Sequence, residues 1–247
     1  MGRAKEIIVK VIPSKIANEF VKKHHYSGKV VNNSNLHFGC FLDGKLHGVM
    51  SYGSPTSKER VLGLVQPCLW NEMLELNRMA FDEYLPKYSE SRCIAISIRL
   101  IKKNAPHIKW ILSFSDGTQC GDGTIYRASG FVLTAIKDNK GMVKDIETGE
   151  CFHKNLSIHH NPNKKEYYKS LSLMNGKQLR YIYVIDKSCK ITVPILPFSK
   201  IDEMGAGMYK GEKISLQERK SKNAAVAHKG EQLTSSENGA FDSTLPL

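Results

Sequence analysis

The sequence predicts an α/β fold in which helices flank a mixed central sheet, and three observations carry that reading. Two alternating strand patterns, Leu36 to Leu42 and Leu46 to Tyr52, flank Asp43-Gly44, a pair that closes antiparallel hairpins. Further on, the breaker-free run Trp110-Ile111-Leu112-Ser113-Phe114 leads through Asp116 and a Gly-rich turn into a short helix and then a strand, a βαβ-like passage. A chain of 247 residues that is 41% hydrophobic has material for one sizeable core, so one main domain is expected.

Taken in order, Glu6 to Ile12 reads as an opening strand, and Pro13-Ser14 then supplies a turn and a helix start for the apolar stripe Ile16, Ala17, Phe20, Val21 and His24. That helix gives out at His24-His25-Tyr26-Ser27-Gly28. After the hairpin comes EMLELNRMAF, Glu72 to Phe81, whose periodicity fits helix or strand and whose propensity favours helix. As a strand it would place Glu75 and Arg78 out of phase, so a direct pair is not expected. Ser89-Glu90-Ser91 opens a helix with Cys93, Ile94, Ile98 and Ile101 on one face and Lys102-Lys103 near its C-terminal end, where the helix dipole favours cations. Asn104-Ala105-Pro106 stops it.

The strand from Trp110 halts at Ser115-Asp116-Gly117, Thr124 to Ser129 has room for a turn and a half of helix before Gly130, and Phe131 to Ile136 forms the next strand. Residues 137–177 lose periodicity and read as a basic, aromatic flap inserted between core strands. Patterning resumes in the strands Tyr181 to Ile185 and Ile191 to Leu196. The expected organisation is a catalytic unit over 1–202 and a flexible tail over 203–247, rich in Gly, Ser, Lys and Glu.

Charge and cysteine usage narrow the function classes. With 36 Lys and Arg against 24 Asp and Glu, the formal charge of +12 favours a polyanionic partner, nucleic acid foremost. No apolar run is long enough to cross a bilayer. The six cysteines form no CxxC pair, which argues against a zinc ribbon or a disulfide framework and fits reduced thiols in a cytoplasmic protein. In the insert, Cys151, His153, His159 and His160 match no common zinc spacing, while Lys154, Lys164, Lys165, Tyr167, Tyr168 and Lys169 suit a DNA-contacting flap or a solvated hairpin face.

The chemistry concentrates at Asp116 on a strand end and Tyr126 on the helix ten residues later, a candidate base and acid in one cleft. Tyr126-Arg-Ala-Ser-Gly130-Phe131 has the form YxxxGF, which resembles the helix-to-strand signature of GNAT-type acyltransferases. Together with HHYSG at His24 to Gly28, LELNRMAF at Leu74 to Phe81, LPKYSES at Leu85 to Ser91, FSDGTQCGDGTIYRASGF at Phe114 to Phe131, and RYIYVIDK with VPILPF at Arg180 to Phe198, it is similar in order and spacing to the phage Mom family, a divergent GNAT-fold group. The resemblance spans roughly residues 14–200.

What the resemblance implies is a GNAT-like fold and transfer of a methylcarbamoyl (acetamido) unit to the exocyclic amine of adenine in double-stranded phage DNA, protecting it from host restriction enzymes. Carried over by motif, the active-site residues are His25, Tyr26, Ser91, Asp116 and Tyr126, with Asp116 as base or amine positioner and Tyr126 as acid. His25 and Tyr26 would orient the base or hold a metal, since the family is linked to iron. EMLELNRMAF becomes the central strand, and a small-group donor, of acyl-CoA type or another, would lie along Leu76, Asn77 and Arg78 and at Ser89. The Q/RxxGxG/A pyrophosphate loop of GNAT enzymes is replaced here by PKYSES, so coenzyme A itself is in question and the amides at Ser89 to Ser91 would serve some anion. Two other function classes stay open on the residues alone: an acyltransferase acting on RNA or a protein amine, and a noncatalytic nucleic-acid-binding protein.

Overall fold

The Asp43-Gly44 hairpin sets the sheet going. In the computed structural model both residues have positive φ, 50° and 75°, as a two-residue turn that matches strand twist requires. The structure describes residues 2–117, 121–139, 141–149, 151–153, 169–174, 176–205, 208–209, 212–213 and 217–218. Its elements are β1 (Ile8–Val11), α1 (Ser14–His24), β2 (Ser34–Leu42), β3 (Lys45–Gly53), α2 (Lys58–Val61), β4 (Val65–Gln66), β5 (Met73–Phe81), α3 (Ser89–Asn104), β6 (Trp110–Asp116), α4 (Thr124–Ala128), β7 (Val132–Asp138), β8 (Met142–Asp145), β9 (Cys151–His153), β10 (Leu171–Leu173), β11 (Lys177–Val184), β12 (Lys190–Ile191) and α5 (Ser199–Glu203).

Among the described residues a seven-stranded sheet runs β1-β2-β3-β5-β6-β11-β7. Its pairs are antiparallel except β5 with β6, which are parallel and joined over the top of one face by α3. A mixed sheet with helices on both faces, opened at a central parallel pair, is the GNAT-like α/β arrangement expected.

Three differences from the sequence reading have physical causes. EMLELNRMAF is strand β5 and not the helix that propensity favours, because it is hydrogen-bonded on both sides, to β3 and to β6. The passage from β6 through α4 to β7 is not a neighbouring βαβ pair: β11 returns from the insert and slots between them, antiparallel to both. The strand expected at Ile191 to Leu196 shrinks to β12, which pairs with β4, plus one bridge from Leu196 to Leu133. The described part of the insert forms its own small sheet, β10-β8-β9. Residues 154–168 of the flap, with His159 and His160, and most of the tail lie outside the described residues.

Packing divides along the sheet's two faces. On one face, Cys93, Ile94, Ile98 and Ile101 of α3 and Tyr126 of α4 cover Phe38, Met50, Tyr52, Leu76, Ile111 and Leu133. On the other, Ala17 and Val21 of α1 cover Val49 and Ala80, and the 61–73 segment covers Trp110, Leu112 and Ile182. Between those two patches the second face carries polar residues.

Candidate active site

The site begins where β5 and β6 part. Their parallel pairing runs from Met73↔Trp110 to Leu76↔Ser113, and Ser113 Oγ closes the junction by donating to Leu76 O at 3.1 Å. One residue on, β5 bulges: Arg78 sits opposite Ser51 and Leu76 opposite Tyr52, so Asn77 is the extra residue. A bulge bends its strand, and here it also reverses the alternation. Glu75 shares the face of Met73 and Leu112, and after the bulge Arg78 returns to that same face, opposite Ser51.

His25 caps the C-terminal end of α1 on this face, and Tyr26 follows with its ring 4.3 Å from the imidazole and about half exposed. Arg78 ties that loop to β5, its Nε donating to Lys29 O at 3.0 Å and a terminal nitrogen to Asn77 O at 2.7 Å. Ser27 N–H donates to His25 Nδ1 at 3.1 Å, and Ser27 Oγ lies 2.8 Å from the same atom. Burial, then the Arg78 charge, lower the His25 pKa to about 4. The ring is therefore neutral at pH 7 with Nδ1 as acceptor and the proton on Nε2. Glu75 behaves in the opposite sense: burial raises its carboxyl to about 7, with Arg78 pulling it back. On β6, Phe114 packs against the patch containing Leu112, and alternation puts Asp116 on that side as well. Asn139 Nδ2 donates to Asp116 Oδ1 at 3.0 Å.

The remaining expected site residues stand on the α3 face. Ser89 is buried and its hydroxyl donates to Pro86 O, while Ser91 Oγ donates to Tyr88 O at 3.3 Å. Ser129 Oγ donates to Ser91 O at 3.4 Å, which brings the end of α4 onto the first turn of α3. Tyr126, 7% exposed, lies with its ring 5.3 Å from Tyr181 and 5.6 Å from Phe131. Gly123 makes that packing possible: its φ is +70°, and a Cβ there would stand 2.6 Å from the Tyr181 ring. So His25, Tyr26 and Asp116 share one face, Ser91 and Tyr126 share the other, and the parting of β5 and β6 lies between the two sets.

Of the residues expected along the donor, Leu76 is in the α3-face core, Asn77 Oδ1 accepts from Ser34 Oγ at 2.7 Å, and Arg78 faces α1. Glu90 occupies the first turn of α3, where its charge opposes an anion. As for iron, no three His, Cys, Asp or Glu side chains among the described residues converge on one point, and Ser27 engages His25 Nδ1. The described residues around His25 and Tyr26 thus bring no set of three His, Cys, Asp or Glu ligands together for iron. Sequence reasoning passed over Glu75; a carboxylate and an amide alternating inside an otherwise apolar strand, with Arg78 after them, was the available signal.

The model of the Mom protein family matches residues 6–200. Methylcarbamoylase Mom of Escherichia phage Mu is 31% identical over 200 residues, covering 76% of this chain and 79% of that protein. Solved structures with a similar course include a Bacillus subtilis acetyltransferase in complex with CoA, 12% identical with a TM-score of 0.43, covering 72% of this chain and 99% of that one. Another is the ribosomal-protein-S5-alanine acetyltransferase of Vibrio fischeri, 14% identical with a TM-score of 0.45, covering 73% and 94%.

Proposed function

The chain belongs to the Mom protein family, and from that membership and the parting of β5 and β6 we propose that it is a transferase placing a methylcarbamoyl (acetamido) group on the exocyclic amine of adenine in double-stranded DNA. In phage DNA the product would block host restriction enzymes, and the place of action would be the host cytoplasm. The observation that carries the reading is the division of polar groups across the parting strands, with His25, Tyr26 and Asp116 on one face and Ser91 and Tyr126 on the other. That division suits two reactants entering from opposite sides. The formal charge of +12 suits the polyanion.

An amine inside a duplex is shielded by stacking, so the adenine is turned out of the helix toward the α1 face. As the new N–C bond forms, the amine loses a proton, which Asp116 accepts; the Asn139 amide on Oδ1 fixes the carboxylate's orientation. Tyr126 gives a proton to the atom that leaves the donor. Neutral His25 offers Nε2–H, and the Tyr26 ring beside it offers an exposed stacking surface. The donor, of acyl-CoA type or another small-group carrier, enters from the α3 face past Leu76 toward Ser89, while Asn77 and Arg78, bonded to Ser34 and to Lys29 O, lie on the adenine's side, and residues 1–202 form the catalytic unit.

Nucleoside mass spectrometry of DNA from cells expressing the full chain tests this. An adenine nucleoside carrying the added group is expected; unmodified adenine alongside soluble, intact protein overturns the proposal.

A further inference from the structure

Glu75 is a carboxyl group within a central strand, with β3 on one side and β6 on the other. Its row neighbours are Gly53, which has no side chain, and Leu112. Among the described residues no hydrogen bond or ion pair reaches it. The guanidinium that shares its face, Arg78, is held to the carbonyl oxygens of Lys29 and Asn77. Two residues on, Asn77 Oδ1 accepts from Ser34 Oγ while its buried Nδ2 has no partner. One short stretch of β5 thus presents a partly buried carboxyl group that no hydrogen bond reaches among the described residues and a buried amide donor without a partner, next to the parting of the strands. Unmatched buried polar groups cost stability, and they persist where a ligand completes them.

We propose that Glu75 and Asn77 read the adenine edge: the Glu75 carboxyl accepts from the exocyclic amine and donates to the adjacent ring nitrogen, while Asn77 Nδ2 donates to a second ring nitrogen. This rests on the adenine-modifying reading above and adds the residues that select the base. Adenine presents an N–H donor beside a ring acceptor, and a protonated carboxyl presents the complementary acceptor and donor. A carboxylate has acceptors only and would face the ring nitrogen lone pair. Burial, which holds the Glu75 proton up to about pH 7, supplies the needed form. Phe114 on the same face of β6 gives the ring a stacking wall. The charged or titratable groups that share this face include Arg78 on β5, His25 and Tyr26 after α1, His37 on β2, Asp116 on β6 and Arg180 on β11.

The test measures binding of the full chain to a short single-stranded oligonucleotide with one adenine, against the same strand carrying purine without the exocyclic amine. Wild type is expected to favour adenine by roughly 10- to 100-fold, with the preference declining as pH rises through about 7. Glu75→Ala is expected to lose the preference, and Glu75→Gln, whose amide offers the same acceptor and donor, to restore it to within a few fold and without the decline. Thermal melts establish that both variants fold. Loss in Glu75→Gln equal to that in Glu75→Ala would mean that the carboxylate form acts, and would overturn the pairing, as would unchanged preference in Glu75→Ala or none in wild type. Selective binding by wild type with no modified adenine in cells would defeat the transferase reading and leave the adenine pairing standing.

Discussion

Glu75 and Arg78 sit on one face of β5 although they are three positions apart, because Asn77 bulges out of the ladder between them. Strict alternation would have sent one into the α3-side core. The bulge instead gathers a carboxyl, a guanidinium and, through Lys29 O, the loop bearing His25 into one polar patch.

The first prediction follows from Glu75. Folded, it keeps its proton up to about pH 7, whereas its ordinary value is 4.5. The folded state therefore binds more protons between those values, and stability falls as pH rises through that window. Glu75→Gln removes the slope, so it should exceed wild type by about 1–3 kcal/mol at pH 8 relative to their difference at pH 4.5. Urea titrations at both pH values check this; a pH-independent offset would contradict it.

His25 gives the opposite slope. Its pKa is lowered from 6.5 to about 4, so the folded state binds fewer protons in between, and stability present above pH 6.5 is lost as pH falls toward 4. His25→Gln should flatten that acid limb. Monitoring denaturation midpoints from pH 7 down to 4 decides it, and parallel curves for wild type and variant would count against a buried neutral imidazole.

At Asp116 and Tyr126 the expectation concerns product rather than stability. Asp116→Ala and Tyr126→Phe should each lower adenine modification by about 100-fold, the scale of a lost proton-transfer group. Tyr126→Phe keeps the ring against Tyr181 and Phe131, so its melting temperature should hold. Full activity in both variants would remove these residues from the mechanism.

Gly123→Ala should be costly without touching any reacting group. Its φ is +70° and the new methyl would meet the buried Tyr181 ring, whose hydroxyl donates to Asp122 O. A loss of about 2–4 kcal/mol is expected, read as a lowered midpoint in chemical denaturation. A variant as stable as wild type would show that the α4 turn does not depend on this contact.

Much of the scaffold was legible because its signals are local. Asp43-Gly44 demands a turn, the stripes of α1 and α3 repeat at helical spacing, and Trp110 to Phe114 has no breaker. What escaped depends on distant chain. EMLELNRMAF has helical propensity and becomes strand only because β3 and β6 supply its hydrogen bonds; the resemblance had indicated a strand where propensity did not. The placement of β11 between β6 and β7 is set by a segment that returns only after the whole insert. Glu75 was discounted by alternation, and only the register with Ser51 and Tyr52 shows the slip that cancels it. HHYSG and SDG pointed to residues that share a face, while nothing local could show that Ser91 and Tyr126 lie across the sheet from them.

The insert leaves the sheet and returns to it at a single point. Lys177 pairs with Asp138, their side chains meeting at 2.6 Å, and Asn139 N–H donates to Gly176 O. The same neck holds Asp116, through the Asn139 amide on its carboxylate and through Gly117 N–H to Lys177 O. The appendage is thus hinged on the residue assigned to take the amine's proton. Exchanging its outer part for a longer or shorter version should leave the seven strands as they are, whereas changing Asn139, the first residue after β7, removes the amide that orients the carboxylate. Variation in reach and variation in chemistry are separated by the length of one side chain.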